Sequence, residues 1–355
     1  ECVLWETSLI PGAEGHFVPG TFPGAYRNDW GYPGVRGLGV DVHGNVWVGT
    51  LETKKFHYLE GGTGRILQTI DVSSVNHRTY GAVLDRAGIL WASSHDRNEV
   101  LRLDPATGAF TVIPLGHFAY GINVDREGHV FISGWESSRL TRVNAASATI
   151  DWTTPIEFQG RGIAVTDDGD IWIAHSGPGL VVRRSNSGVF KASIPAGNTP
   201  TGVAVDSRGM VWAVGLGDDV IRRIDPSRNV VDLTKRILCA NRDGFHYGYS
   251  DMTGFMARNS TTRIGFWTVD HDGKVPNVPW GLVAWQAEQP EGTSVSVRVR
   301  SSNNRQTWSL WENARNGVAL HSTPSGRFLQ VEVTLQSSQP GVTPVFQGLS
   351  VQPAS

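Results

Sequence analysis

The chain has 355 residues and a formal net charge of −2, and charged residues make up only 18% of it. Glycine fills 42 positions, about 12% against a usual level of about 7%, and there are 13 tryptophans. Many tryptophans at low charge exclude a disordered chain or a coiled coil. The near-neutral balance argues against a nucleic-acid partner, and no apolar run approaches the ~18 residues of a membrane-inserted helix. A compact, turn-rich β protein remains.

Five segments repeat one pattern. A glycine opens an apolar stretch, a turn of the type Asp-x-x-Gly follows (Thr-x-x-Gly in the fourth segment), and an aromatic residue ends the segment. The segments are Gly37–Trp47, Gly81–Trp91, Gly121–Phe131, Gly162–Trp172 and Gly202–Trp212. Their glycines are 44, 40, 41 and 40 residues apart, and a sixth unit is expected to start at Gly248. The pattern predicts strand, tight turn and strand, because Asp bonds the backbone ahead of it and Gly takes the positive φ of the turn.

A second hairpin follows the first in several units, as in Val100–Ile113, where Asp-Pro marks the turn. Four strands in about 40 residues are typical of a β-propeller blade, whereas the repeats of a parallel solenoid are usually shorter. We therefore predict an all-β protein with a six-bladed β-propeller at residues 1–262, in which Val3–Leu9 supplies a strand that closes the sixth blade. The aromatic residue of each segment is expected to pack between neighbouring blades.

The two cysteines, Cys2 and Cys239, fall at the two ends of the predicted propeller. Cys239 lies just before the sixth unit, and Cys2 lies just before the stretch that would close it. A Cys2–Cys239 disulfide would fasten the ring, and two buried free thiols are the alternative.

The repeat ends near residue 262, and six stretches of alternating apolar and polar residues follow. They are Ile264–Val269, Trp280–Trp285, Ser294–Arg300, Thr307–Trp311, Arg327–Leu335 and Phe346–Val351. Six such strands in about 90 residues predict an antiparallel β-sandwich at residues 263–355. Val295, Val297 and Val299 are expected to face the core, with Arg298 and Arg300 on the other face. The sandwich is either a packing domain or a domain that binds sugars or surfaces.

The repeated Gly-x-x-Val-Asp-x-x-Gly-x-Val-Trp core and the Arg-x-Asp-Pro hairpin after it resemble the blades of streptogramin lyase-like (virginiamycin B lyase-like) propellers, and more loosely those of gluconolactonase-like ones. The tryptophan-rich sandwich after Tyr249–Gly254 resembles domains of large bacterial secreted proteins. The resemblance implies a propeller fold and, in the lyases, a His/Glu set with magnesium. The positions of the lyase glutamates are Thr50, Ser94, Gly134, His175 and Gly215 here. Only His175 is titratable, which argues against lyase activity.

The residue before each leading glycine occupies equivalent positions in the repeat, and such positions converge around the axis of a propeller. These residues, which we call the axis ring, are Arg36, Tyr80, Tyr120, Arg161, Thr201 and Tyr247. Positions that serve only blade architecture should be uniform and small or apolar, whereas these are mostly large, polar and aromatic. They fit a ligand that stacks and forms hydrogen bonds, such as a sugar or a peptide. The alternative is that they plug the channel and bond one another.

A second ring follows the aromatic strand of each unit and includes His95, Trp135 and His175. Trp135 stands in a turn-like Gly-Trp-Glu-Ser-Ser context, which suits an exposed stacking platform, and a tryptophan folded over an inter-blade gap is the alternative. The predicted ligand-binding residues are Arg36, Tyr80, Tyr120, Arg161, Tyr247, His95, Trp135 and His175. The arginines would pair with carboxylate or hydroxyl groups, and the aromatic rings would stack.

We therefore expect a secreted or cell-surface binding or adhesion module whose partner is a glycan or a peptide, on a cell surface or on another protein. No cofactor is expected, because no metal-binding motif of recognised spacing occurs and Thr166–Asp170 is explained by a blade turn. One alternative is a metal-assisted lyase or lactonase that uses magnesium or calcium with His95 and His175 as acid and base. A structural scaffold for partner proteins is the other.

Overall fold

The computed structural model describes residues 5–9, 34–41, 43–94, 96–206, 208–239, 242–243, 247–248, 264–339 and 342–354. Regular structure in this part of the chain is β-strand, apart from a three-residue 3-10 turn at Ser73–Val75. None of its helical turns is long and apolar enough to cross a membrane. The chain divides into two compact units, Glu1–Thr261 and Thr262–Ser355.

The described residues of the first unit form five four-stranded antiparallel sheets, which are blades of a β-propeller. The strands are β1 (Val35–Val40), β2 (Val46–Thr50), β3 (Lys55–Leu59) and β4 (Ile66–Asp71) in blade 1; β5 (Thr79–Leu84), β6 (Leu90–Ser94), β7 (Glu99–Leu103) and β8 (Phe110–Pro114) in blade 2; β9 (Ile122–Val124), β10 (His129–Ser133), β11 (Arg139–Asn144) and β12 (Thr149–Pro155) in blade 3; β13 (Gly160–Val165), β14 (Ile171–His175), β15 (Leu180–Arg184) and β16 (Phe190–Pro195) in blade 4; and β17 (Pro200–Val205), β18 (Val211–Gly215), β19 (Val220–Asp225) and β20 (Val230–Arg236) in blade 5. Consecutive strands pair in order within each sheet, so the repeat predicted the blades correctly.

The aspartate of each Asp-x-x-Gly turn closes the turn with its own carboxylate. In blade 2, Asp85 Oδ1 accepts hydrogen bonds from the backbone N–H groups of Ala87 at 2.9 Å and Ile89 at 3.0 Å. Gly88 has a φ of 80°, which residues with a side chain rarely adopt. The Asp206 turn of blade 5 repeats these contacts. This is the local reason why the first two strands of a blade form a hairpin.

The core of the propeller consists of apolar layers between successive blades. In four of the five repeats the aromatic residue lies in these layers, Trp47 between blades 1 and 2, Trp91 between blades 2 and 3, Phe131 between blades 3 and 4, and Trp172 between blades 4 and 5. All four are at most 3% exposed. Burying about 200 Å² of aromatic surface contributes on the order of 5 kcal/mol. The predicted structural role of these four is therefore confirmed, whereas Trp212 of the fifth repeat is only half-buried.

Only a small part of the predicted sixth blade lies within the described residues, namely β21 (Leu238–Cys239), its partner β22 (Arg242–Asp243), and Tyr247 with Gly248. Trp5–Leu9 do not form the predicted closing strand. Instead, the Trp5 indole N–H donates to the Gly61 carbonyl at 2.8 Å, and the Thr7 hydroxyl donates to the Gly64 carbonyl at 2.6 Å. These two bonds to carbonyl groups of the β3–β4 turn hold the segment on blade 1. The prediction that Trp5–Leu9 close the sixth blade is therefore wrong for these five residues.

The second unit consists of two antiparallel sheets. Its strands are β23 (Ile264–Asp272), β24 (Trp280–Glu288), β25 (Thr293–Ser302), β26 (Glu312–Ala314), β27 (Phe328–Ser337) and β28 (Val345–Pro353). One sheet has the order β23-β27-β25-β26, and the other pairs β24 with β28. Side chains of both sheets, among them Val283 of β24 and Val331 of β27, share one core. This arrangement is the predicted β-sandwich.

The faces of β25 alternate as predicted. Val297 and Val299 are 3% and 0% exposed and belong to the core. Arg298 and Arg300 lie on the opposite face, where their Nε atoms donate to Glu332 at 2.6 Å and Gln330 at 2.7 Å. The period of two in the sequence therefore determines which side chains are buried.

The predicted strand Thr307–Trp311 is wrong, because these residues form a loop that leads into β26. The Trp311 ring lies 4.4 Å from the guanidinium carbon of Arg298 and 4.4 Å from that of Arg300. Stacking on two arginines fixes the indole without a strand ladder. An aromatic-rich alternating stretch was thus mistaken for a strand.

Candidate functional site

The inner strands of four blades are irregular at the axis ring. The ladder shifts register between Arg36 and Leu38, between Thr79 and Ala82, between Gly160 and Ile163, and between Pro200 and Gly202. A β-bulge of this kind re-aims a side chain relative to the blade face. The axis-ring residues of these blades lie inside or beside these bulges. Their side chains therefore do not follow the regular alternation between the two faces of the sheet.

Three tyrosines from different units meet at the axis ring. The Tyr80 hydroxyl donates to the Tyr120 hydroxyl at 3.1 Å, and the Tyr247 hydroxyl lies 3.3 Å from that of Tyr80 and 3.1 Å from that of Tyr120. Tyr80 and Tyr120 are 3% and 8% exposed, whereas Tyr247 is 42% exposed. Hydrogen bonds among the three hydroxyls are what a plugged channel requires. The Tyr247 side chain nevertheless remains partly open to solvent.

Arg161 and Trp135 extend this cluster on the side of blades 3 and 4. The guanidinium carbon of Arg161 lies 3.7 Å from the centre of the Trp135 ring, and 5.8 Å from the ring centres of both Tyr120 and Tyr247. Trp135 is half-buried and stacks on Tyr120 with a centroid distance of 5.4 Å. One cation is therefore surrounded by three aromatic rings, two of which are partly accessible.

Arg36 and Thr201 complete the ring from blades 1 and 5. The guanidinium carbon of Arg36 lies 5.2 Å from the centre of the Tyr80 ring. The Thr201 hydroxyl accepts a hydrogen bond from the Gly248 N–H at 3.4 Å. The structure thus brings together the axis-ring residues that the repeat placed at equivalent positions.

Burial raises the pKa of the Tyr120 hydroxyl well above its ordinary value, and the neighbouring Tyr247 adds to this shift. The positive charges of Arg161 and Arg36 oppose the shift without cancelling it. Tyr120 is therefore a protonated hydroxyl at any physiological pH, and it can both donate and accept. The site offers hydroxyl groups and cations together.

Arg161 is 8% exposed, and its Nε atom is buried without a hydrogen-bond partner. Within the described parts of the chain, its guanidinium takes part in no ion pair or hydrogen bond. The contacts that the described residues offer this charge are therefore with aromatic rings. A buried cation with neither carboxylate nor carbonyl partner is uncommon, because removing a charge from water is costly.

His175 is placed apart from this cluster. Its side chain is 0% exposed, with Nδ1 3.4 Å from the Phe158 carbonyl oxygen and Nε2 3.6 Å from Glu157 Oε2. Burial lowers the pKa of His175, although Glu157 opposes this effect. Glu157 is held in turn by Arg184, whose Nη2 donates to its carboxylate at 3.1 Å. In this position, His175 has no surface with which to contact a ligand on the axis.

Two predicted features lie outside the described residues and stay predictions. One is His95, and the other is the Cys2–Cys239 disulfide, which depends on Cys2 and on the Cys239 side chain. Across the described residues, no group of three or more His, Cys, Asp or Glu side chains is arranged to hold a metal ion.

Sequence reasoning missed two features of this region. It assigned Trp135 to the second ring, whereas the indole contacts Tyr120 and Arg161 of the axis ring. It also overlooked Glu157, whose only signal is a carboxylate five residues before Gly162, close to where the two preceding units carry a histidine. Both lie in connections between strands, which vary from blade to blade.

Neither a protein-family model nor the sequence of a curated protein matches this chain. Virginiamycin B lyase from Staphylococcus aureus has a similar solved structure, 18% identical, with a TM-score of 0.53 over 59% of this chain and 72% of that one. A streptogramin B lyase structure is 16% identical, with a TM-score of 0.53 over 86% of this chain and 94% of that one.

A catalytically inactive virginiamycin B lyase from Staphylococcus aureus with quinupristin is 14% identical, with a TM-score of 0.53 over 84% of this chain and 94% of that one. At such identities, structural similarity concerns the fold. The resemblance of this chain to streptogramin lyase-like propellers is therefore confirmed as a resemblance of fold.

Proposed function

We propose that this propeller is a sugar-binding module and that the axis ring, together with Trp135, is its binding site. One observation carries the proposal. The two partly accessible rings of Trp135 and Tyr247 both contact the Arg161 guanidinium, and the Tyr247 hydroxyl bonds those of Tyr80 and Tyr120. A binding site for a small ligand combines apolar surface with a few convergent polar groups, and this cluster has that composition.

The chemistry of the cluster supports a sugar. Each tyrosine hydroxyl can donate one hydrogen bond and accept others, as sugar hydroxyls do. The flat rings of Trp135 and Tyr247 offer apolar area and keep a polar edge, which suits the mixed surface of a sugar ring. The Arg161 guanidinium adds a fork of N–H donors.

The size of the cluster favours a sugar over a peptide. The ring centres of Tyr120 and Trp135 are 5.4 Å apart, and Arg161 lies within 5.8 Å of every ring in its group. Such a site spans about one sugar residue. Peptides are usually held along a sheet edge or a groove by a row of backbone contacts. We therefore treat peptide recognition as an outcome of the test.

The lyase or lactonase alternative has weaker support. Its proposed acid or base His175 is fully buried, and burial lowers its pKa, so it is neutral and remote from solvent. Secretion or display at the cell surface is part of the proposal. It rests on the predicted Cys2–Cys239 disulfide and on the resemblance of the sandwich to secreted bacterial proteins.

The test is a panel of immobilised neutral and acidic oligosaccharides, followed by calorimetric titration of the full chain with the sugar that binds best. Trp135→Ala and Tyr247→Ala should each lower the affinity about tenfold, because each removes a stacking face. Phe190→Ala is the matched control, since Phe190 is 51% exposed on the outer strand of blade 4. Its affinity should equal that of the unmodified chain.

Two results would overturn the proposal. In the first, no sugar of the panel binds at millimolar concentration while a peptide library binds in a manner sensitive to Trp135→Ala. In the second, a sugar binds but both axis variants retain full affinity. Thermal unfolding of each variant shows that a loss of binding does not reflect a loss of fold.

A further inference from the structure

Arg161 differs from three other arginines that stack on tryptophan in this propeller. Arg183 lies 5.0 Å from the Trp172 ring centre and donates to Asp168 and Asp170 at 2.7 and 2.6 Å. Arg142 lies over Trp152 and donates to Asp151, and Arg223 lies over Trp212 and donates to Asp232. In these three cases a carboxylate neutralises the stacked cation.

Arg161 has the shortest contact with an indole, 3.7 Å, and yet it has no carboxylate among the described residues. Arg102, which lies 5.9 Å from the Trp91 ring centre, forms no ion pair with a described carboxylate either, but it is only half-buried and water can hydrate it. Arg161 is 92% buried, since it is 8% exposed. It is thus the stacked arginine with the greatest need of an anion.

Stacking alone does not offset this burial. A cation–π contact contributes about 0.5–2 kcal/mol, whereas the effective penalty for burying an ion is several kcal/mol. The described neighbouring groups at this site are tyrosine hydroxyls and a second arginine, Arg36, and these groups supply no negative charge. The protein already keeps Arg161 largely out of water, so an anionic ligand would pair with this cation without a further cost for dehydrating it.

We infer that the axis site selects a sugar that carries a carboxylate, a hexuronate, whose carboxylate pairs with Arg161 while Trp135 and Tyr247 contact the sugar ring. This inference rests on the proposed function and names the ligand class within it. The planar fork of a guanidinium matches the two oxygens of a carboxylate, and both groups would be shielded from water by the surrounding rings.

The experiment compares oligogalacturonate and oligoglucuronate with the matching neutral oligosaccharides, by calorimetric titration of the full chain. The affinity of the unmodified chain for a hexuronate should exceed that for the neutral counterpart by about 30-fold or more, as expected for a shielded charge pair. Arg161→Gln should lower the hexuronate affinity to that of the neutral sugar. Arg161→Lys should recover only part of it, because an ammonium lacks the planar fork. Arg102→Gln, the matched control, should bind as the unmodified chain does.

Thermal unfolding supplies a second readout that separates a binding arginine from a structural plug. Arg161→Met replaces a buried, uncompensated charge with an apolar side chain of similar length, so it should raise Tm in the absence of sugar. If Arg161 instead served as a plug that its cation–π contacts stabilise, Arg161→Met should lower Tm. A lower Tm for Arg161→Met would therefore overturn the inference.

The outcomes also separate this inference from the proposed function. Equal affinity for acidic and neutral sugars, unchanged by Arg161→Gln, would overturn the inference and leave sugar binding intact. Binding of glutamate-terminated peptides in place of hexuronates, abolished by Arg161→Gln, would support pairing with a carboxylate and overturn the glycan assignment. If neither carboxylate probe bound, the inference would be wrong.

Discussion

The indole N–H of Trp91 donates a hydrogen bond of 2.8 Å to Asp85 Oδ2. Asp85 Oδ1 already accepts from two backbone N–H groups of the turn, and Trp91 fills the layer between blades 2 and 3. One carboxylate thus links the turn within a blade to the aromatic residue between blades. Blade 5 repeats the bond with Trp212 and Asp206, and blade 4 substitutes the hydroxyl of Thr166 as acceptor for Trp172.

Asp85→Ala should destabilise the propeller by about 3 kcal/mol, because a buried indole N–H and two turn N–H groups lose their acceptor. Asp85→Asn should retain part of this stability, since its amide oxygen still accepts. Asp104→Ala is the control, because Asp104 also closes a turn but holds no indole, and its loss should be much smaller. Urea unfolding followed by tryptophan fluorescence measures the difference. Equal losses at Asp85 and Asp104 would show that the indole bond contributes nothing.

The architecture was predictable because each blade is encoded within one repeat. The Asp-x-x-Gly turn and the aromatic residue ten positions after the glycine depend on local contacts, such as those of Asp85. The strand predicted at Thr307–Trp311 failed because its tryptophans stack on Arg298 and Arg300, which are distant in the sequence. Alternation cannot distinguish a paired strand from a loop held by such contacts.

Gly121, one of the leading glycines of the repeat, is explained by close approach between blades. A Cβ on Gly121 would lie 2.0 Å from the carbonyl oxygen of Arg161 and 2.7 Å from Ser133 Oγ. Gly121→Ala should therefore destabilise the propeller by about 3 kcal/mol or more, and it should also displace the strand that carries Arg161. Sugar affinity and stability should fall together.

Gly62→Ala is the control for this substitution, since a Cβ there meets nothing within 4 Å and the backbone φ is an ordinary one. Its free energy of unfolding should stay within about 0.5 kcal/mol of the unmodified value. A Gly121→Ala variant as stable as Gly62→Ala would show that the blades can separate at this point. The contact between Gly121 and Arg161 would then not fix the axis ring.

Part of the candidate site was predictable for the same reason as the blades. Tyr80, Tyr120 and Arg161 each precede the leading glycine of their unit, so the repeat placed them on one ring. Their side chains meet there. Trp135 was assigned to another ring, because it follows the aromatic strand of its unit, and the repeat does not reveal that its indole contacts Tyr120 and Arg161. That no described carboxylate neutralises Arg161 could not be read from the sequence, since acidic residues occur throughout the chain and only their positions in space decide which charge is neutralised.

His117, three residues before Tyr120, is a buried histidine whose neutral form is fully bonded. Its Nδ1 lies 2.9 Å from the Phe118 carbonyl oxygen and therefore carries the proton, and its Nε2 lies 2.6 Å from the Thr141 hydroxyl, which donates to it. Burial lowers the pKa of His117, and Arg139 lowers it further, although the bond to Phe118 opposes them. Protonation is thus easier in the unfolded chain, where the pKa is about 6.5.

The sign of the pH dependence follows from this difference. The stabilisation from neutral His117 is fully present above about pH 6.5 and is lost as the pH falls through the lower folded pKa, because the unfolded chain then binds more protons. The free energy of unfolding should therefore decline between about pH 6.5 and 5, before most carboxylates titrate. His117→Gln should show a smaller decline over this interval, with His43→Gln, at the exposed β1–β2 turn, as the control. Urea midpoints at pH 7 and 5 measure this decline in the free energy of unfolding. A decline that is unchanged in His117→Gln would contradict the prediction. It would assign the acid sensitivity to other buried histidines, such as His175 and His57, whose pKa values burial also lowers.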